Sequence, residues 1–137
     1  MLTTIVAFFL TLSILVLVHE LGHFLVAKRV GIQVEEFGMG YPPRLWTLAR
    51  RGGTEYTLNA IPFGGFVRMR GEDDPGVVGG FPDAPKLARL ATLSAGSLMN
   101  FVLAVLSFTM AARFQTPPMD GVLVSDVLAN TPAAVAS

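Results

Sequence analysis

His19, Glu20 and His23 stand in the stretch LVLVHELGHFLVAK, residues 15–28, set among leucines and valines. They fit the pattern H-E-x-x-H. On a helix, positions i and i+4 share a face, so the two imidazoles can bind one zinc ion together. Glu20 is turned about 100° from His19 around the axis, which lets it reach a water at the metal without being a ligand. Zinc lowers the pKa of such a water toward ~7, and a carboxylate beside it can take the proton. That chemistry cleaves a peptide bond when the activated water attacks the carbonyl and Glu20 passes the proton to the leaving amine. Gly22 removes bulk beside the site. In a soluble helix the same pattern arises by chance, and its histidines are ordinary surface or core residues. Inside an apolar span an ionisable side chain costs roughly 2.5–3.5 kcal/mol on insertion scales. Three together require a partner, and a metal supplies it.

The elements that must position these residues are unusually apolar. The apolar fraction is 52% and the charged fraction 15% over 137 residues, which points to a membrane protein. Net charge is zero, so nothing draws the chain to nucleic acid, and the lipid bilayer is its expected surroundings. There is no cysteine. Disulfides, thiolate zinc sites and cysteine nucleophiles are thereby excluded, and a metal site must use His, Asp or Glu.

The first membrane segment covers residues 1–30. Leu2 to Val18 carries no charge, and the apolar pattern resumes after the histidines as far as Val30. As one helix, Leu2 to Val30 would be about 43 Å long, more than a hydrocarbon core of about 30 Å. Gly31 is a natural stop. A cleaved signal peptide would begin with positive charge, but no Lys or Arg precedes Lys28. The second segment covers residues 87–114, charge-free from Ala91 to Ala112. Nine of the ten basic residues lie between Lys28 and Arg89. The positive-inside rule then makes the connecting region cytoplasmic, with the N-terminus and the segment after Arg113 outside.

The connecting region, residues 31–86, changes character. VEEFGMG, RLWTLAR, EYTLNAI and GFVRMRG are four short runs of strand-like content. Gly52-Gly53 between the middle two predicts a hairpin turn. Pro42, Pro43 and Pro62 exclude helix, and Gly38, Gly40, Gly64 and Gly65 permit tight backbone geometry. The acidic stretch GEDDPGVVGGFPD lacks the alternating spacing of a calcium loop and is expected to be a solvated linker.

In HELGHFLVAKRVGIQVEEFGMGYPPRLW, YTLNAIPFGGFVRMRGE and LSAGSLMNFVLAV, the chain resembles the site-2 protease family of intramembrane zinc metalloproteases, in particular its regulator-of-sigma-E branch. The resemblance covers nearly the whole sequence. It implies that His19 and His23 are zinc ligands, that Glu20 is the catalytic base, and that a third ligand comes from an Asp in an L-D-G motif on a later helix. It implies an α-helical multi-pass membrane fold, with a membrane-associated β-loop beside the active site whose edge could pair with an extended substrate. Gly64 and Gly65 are expected substrate-binding positions on that loop. The implied substrates are membrane-spanning proteins such as anti-sigma factors. Where the family usually has Ala-Gly-Pro, this sequence has Ala95-Gly96-Ser97, a departure that touches local rigidity more than chemistry.

Asn100 stands well inside the second span. It lies about 16 Å from Arg89 and His19 about 13 Å from Lys28 at the helical rise, so the two share a depth. Asn100 can bind substrate backbone or a group at the zinc, or make an interhelical hydrogen bond. Asp120 in Met119-Asp120-Gly121 mimics L-D-G but follows the outer end of the second span, and is rejected as the third ligand. Residues 115–137 resemble the opening of an extracytoplasmic PDZ domain. The chain therefore reads as an N-terminal portion that lacks its third zinc ligand. The alternative is a non-catalytic membrane scaffold or metal-binding protein with a degenerate site, for which Glu20 would be superfluous.

Overall fold

A computed structural model describes residues 1–74 and 76–115. The chain divides into compact units at Met1–Ala104 and Val105–Ser137. The packing described below belongs to the first. Of the second, only the end of one helix lies among the described residues. The stretch expected to open a PDZ domain, with Asp120, lies outside them.

Helix α1 runs over Leu2–Arg29. Lys28 and Arg29 occupy its last turn, where positive charge meets the negative end of the helix dipole. Val30 closes the helix and Gly31 follows at φ +84°, a conformation that glycine adopts without steric cost. Helix α2 runs over Lys86–Gln115, after a short 3-10 turn at Phe81–Asp83. Both helices are long and apolar enough to cross a membrane. Their exposed large side chains, among them Phe8, Leu10, Phe101 and Phe108, are what lipid would cover.

Two long strands lie between them, β1 at Val34–Arg51 and β2 at Thr54–Met69. They pair twice. Around the tight turn, Arg51 faces Thr54 and Trp46 faces Leu58 in antiparallel register. Gly52 and Gly53 both take positive φ, +58° and +76°, as a two-residue hairpin of the primed type requires. The first half of β1 also lies against both ends of β2, with Phe37 opposite Tyr56 on one side and Val67 on the other. The four strand-like runs of the sequence are thus the four halves of these two strands. The half of β2 that ends at Met69 forms an outer edge.

A buried carboxylate ties the sheet together. Glu36 accepts a hydrogen bond from Thr57 Oγ1 at 2.7 Å and pairs with Arg44 at 2.7 Å and with Arg68. A buried charge is tolerated when paired and hydrogen-bonded in this way. Arg44 also bonds Glu55 at 2.8 Å. That bond holds the Glu55 carboxyl below its ordinary range, and the hydrogen bonds that Arg44 donates to Glu36 and Glu55 raise its own pKa.

The sheet lies along α1 rather than beyond its end. Lys28 Nζ donates to the Gly52 carbonyl at 2.7 Å, and Phe24 packs on Phe37 with ring centroids 5.1 Å apart. At the other extreme Phe63 meets Phe9 at 4.8 Å. From Phe9 to Lys28 the helix rises about 28 Å, so the β-loop follows most of its length. A small core of Ala27, Ile32, Val34 and Met69, with Phe24, Phe81 and Ala88 against it, seals the end near Lys28.

The acidic linker is used in turns. Glu72 accepts the Met69 N–H, Asp74 the Gly76 N–H and Asp83 the Gly79 N–H. Among the described residues no group of three or more His, Cys, Asp or Glu side chains is placed to hold a metal.

Candidate metal centre and active site

His19 and His23 come together one turn apart on α1, with ring centroids 4.7 Å apart. The opposing wall is α2. His23 contacts Thr92, Gly22 faces Ala95, and His19 contacts Asn100, so the two helices run antiparallel here. Thr92, Gly96 and Asn100 recur every four residues and share one face of α2.

Each histidine meets that wall through its Nδ1 atom. His23 Nδ1 lies 2.7 Å from the Thr92 carbonyl oxygen. A carbonyl only accepts, so Nδ1 carries the hydrogen and the Nε2 lone pair is free. Metal-binding histidines are oriented in this way, by a hydrogen bond from the ring nitrogen that does not bind the metal. The Thr92 hydroxyl is occupied elsewhere, donating to the Ala88 carbonyl at 2.8 Å. His19 Nδ1 lies 3.4 Å from the side-chain nitrogen assigned to Asn100.

The two Nε2 atoms converge over Gly96. A Cβ placed on that glycine would lie 2.6 Å from His19 Nε2 and closer still to His23 Nε2. Gly96 therefore keeps open a space bounded by two imidazole nitrogens. Zinc binds imidazole at about 2.0–2.1 Å, and this donor pair and cradle fit it. Close helix approach creates the space. A Cβ on the buried Gly22 would stand 2.5 Å from the Ala95 carbonyl oxygen, so a side chain there would push α2 away.

Glu20 accepts a hydrogen bond from the backbone N–H of Val67 at 3.2 Å. That N–H belongs to the outer edge of β2 and points at the carboxylate of the H-E-x-x-H motif. The sheet edge and the motif thus share one site. Gly64 and Gly65 lie just before Val67 on the same edge, pressed on α1. A Cβ on Gly64 would stand 2.6 Å from Val16, and one on Gly65 would stand 2.6 Å from the Gly38 carbonyl oxygen. Gly64 also takes φ +66°. Their lack of side chains is used for this close approach, which leaves only their backbone to offer to a ligand.

The structure thus brings His19, Glu20, His23 and Asn100 to one place, with Gly64 and Gly65 along the adjoining edge. Three contributors carry no signal as reactive types: the Thr92 carbonyl, the Gly96 space and the Val67 N–H. Thr92 and Gly96 do share the four-residue spacing of the histidines, counted back from Asn100.

A protein of Clostridium perfringens named as a zinc metalloprotease is 43% identical over 128 residues, which is 90% of this chain and 36% of that protein. Protease RseP of Yersinia pestis is 36% identical, covering 98% of this chain and 31% of its own length. Regulator of sigma-E protease RseP of Salmonella typhimurium is 35% identical over 95% of this chain and 30% of its own. The chain spans about a third of the length of these relatives. The description of peptidase family M50 matches residues 7–135. With that match over nearly its full length, the chain belongs to peptidase family M50.

Proposed function

We propose that this chain carries the His–Glu–His part of the active site of an intramembrane zinc metalloprotease that cuts membrane-spanning proteins. The observation that carries the reading is the convergence of His19 Nε2 and His23 Nε2 over Gly96, with Glu20 on the same helix bonded to a sheet edge. His19 and His23 would hold zinc. The resemblance assigns a third ligand to a later L-D-G helix, in keeping with three protein ligands at catalytic zinc sites. When bound, zinc polarises the scissile carbonyl and makes a water acidic.

The chain's own residues do the rest. Glu20 takes a proton from that water and delivers it to the leaving nitrogen. Its Val67 bond keeps the carboxylate beside the β2 edge. A helical substrate hides its peptide bonds in its own hydrogen bonds, so it must be extended before it can be cut. An open strand edge binds an extended segment through backbone hydrogen bonds, and the Gly64–Val67 stretch is that edge. The exposed apolar side chains of α1 and α2 support a site within the bilayer. The basic residues between the spans put the Lys28 end of α1 on the cytoplasmic side, with residues 115–137 on the outer side as the opening of a PDZ domain. The names of the RseP relatives speak of sigma-E regulation, and anti-sigma factors are the substrate class that this suggests.

A reporter with one membrane span, co-expressed with the whole protein that carries this chain, tests the proposal. Cleavage is expected with the natural sequence and is lost with Glu20→Gln or His19→Ala. Cleavage by Glu20→Gln at the natural rate would contradict it.

A further inference from the structure

We infer that Asn100 is a positioning residue for the metal site: its side-chain oxygen, rather than its nitrogen, faces His19 and accepts the Nδ1–H hydrogen bond that leaves His19 Nε2 free to bind the metal. The inference rests on the zinc reading above.

As assigned, the Asn100 nitrogen stands 3.4 Å from His19 Nδ1. An amide nitrogen only donates, so Nδ1 would have to accept and the ring hydrogen would sit on Nε2. Yet His19 Nε2 is the atom that looks into the space over Gly96, where His23 Nε2 also points. A hydrogen there would take up the lone pair that must bind the metal. The two ends of an Asn amide have the same shape, and which is which follows from the hydrogen-bond network. Turning the amide over resolves the conflict without moving another atom.

The result mirrors His23, whose Nδ1–H donates to the Thr92 carbonyl. Both imidazoles are then held in one tautomer by acceptors on one face of α2, at positions 92 and 100. The Asn100 oxygen as assigned is buried with no partner among the described residues. Either orientation leaves one end of the amide there, so the choice rests on the tautomer. The turned amide presents two N–H donors at that buried position.

The test compares zinc affinity, by competition with a chromophoric chelator, in the detergent-purified whole protein that carries this chain, with the natural sequence, with Asn100→Leu and with Asn100→Asp. Leu keeps the volume but accepts nothing, and should weaken zinc binding roughly 10- to 100-fold, the usual effect of losing such a partner. Asp accepts as the oxygen does and should restore binding to the natural level, whereas a donor role would not be rescued. The chain has two histidines, so ring-nitrogen NMR of the metal-free natural protein reads the tautomer with no substitution at all. His19 is expected with its hydrogen on Nδ1. Natural affinity in Asn100→Leu, failure of Asn100→Asp to rescue, or the hydrogen on Nε2 in the natural protein would each overturn the inference. If the natural whole protein itself binds no zinc, the zinc reading falls and takes this inference with it. If it binds zinc and Asn100→Leu binds equally well, only the inference falls.

Discussion

Gly96→Ala adds a single methyl group at the point where the two imidazoles meet. Its carbon would start 2.6 Å from His19 Nε2 and nearer to His23 Nε2. Non-bonded heavy atoms of this kind settle near 3.5–4.0 Å, so the rings must retreat by about 1 Å or more. Alanine itself suits the α2 backbone, since Gly96 is not among the glycines with positive φ. In an exposed helix the exchange would favour folding by about 0.8–1.0 kcal/mol. Overpacking opposes it by roughly 1–3 kcal/mol, which leaves a modest net change in stability. Zinc affinity should change far more, because the methyl displaces both nitrogens that would hold the metal. Swinging either ring clear does not help, for that breaks the His23–Thr92 bond or the His19–Asn100 contact and separates the two nitrogens. A loss beyond the roughly 10- to 100-fold expected for an orienting partner is predicted. Chelator competition in detergent gives the affinity, and helical circular dichroism with thermal unfolding shows that the fold persists. Natural zinc affinity in a folded Gly96→Ala protein would refute the assignment of this space to the metal.

Two other outcomes follow from the same geometry. Gly22→Val should destabilise the protein by about 1–3 kcal/mol, since its Cβ would meet the Ala95 backbone oxygen at 2.5 Å and backbone cannot swing aside; unchanged thermal unfolding would show that α2 does not rest on Gly22. Cysteines placed singly at Gly76 and Ser137 should differ toward an impermeant thiol reagent on intact cells, with Ser137 labelled and Gly76 protected. The opposite pattern would reverse the topology and remove the PDZ placement.

The sequence made the reactive types legible because their cost in an apolar span is so high. His19, Glu20 and His23 stand out in a stretch otherwise free of charge, and the i, i+4 spacing alone puts both imidazoles on one face. Counting residues from the basic ends placed Asn100 at the depth of His19, where the structure finds it. The Gly52-Gly53 turn and the four strand-like runs were also legible, since hairpin chemistry is local. How those runs pair was not. The first half of β1 serves both ends of β2, a long-range arrangement that no local pattern encodes. The Thr92 carbonyl and the Val67 N–H were invisible for another reason: every residue but proline has both groups, and only the fold selects which one meets the site. Gly64 and Gly65 are expected substrate-binding positions; the nearest neighbour of Gly64 is Val16 of α1, and that of Gly65 is the Gly38 carbonyl oxygen of β1.

The central claim is that one zinc is held by His19 and His23 while Glu20 handles the proton. Metal analysis of the purified protein, paired with the cleavage assay, addresses it most directly. Glu20→Gln should keep its zinc and lose cleavage, whereas the double variant His19→Ala, His23→Ala should lose both. Full zinc content in the double histidine variant would contradict the account.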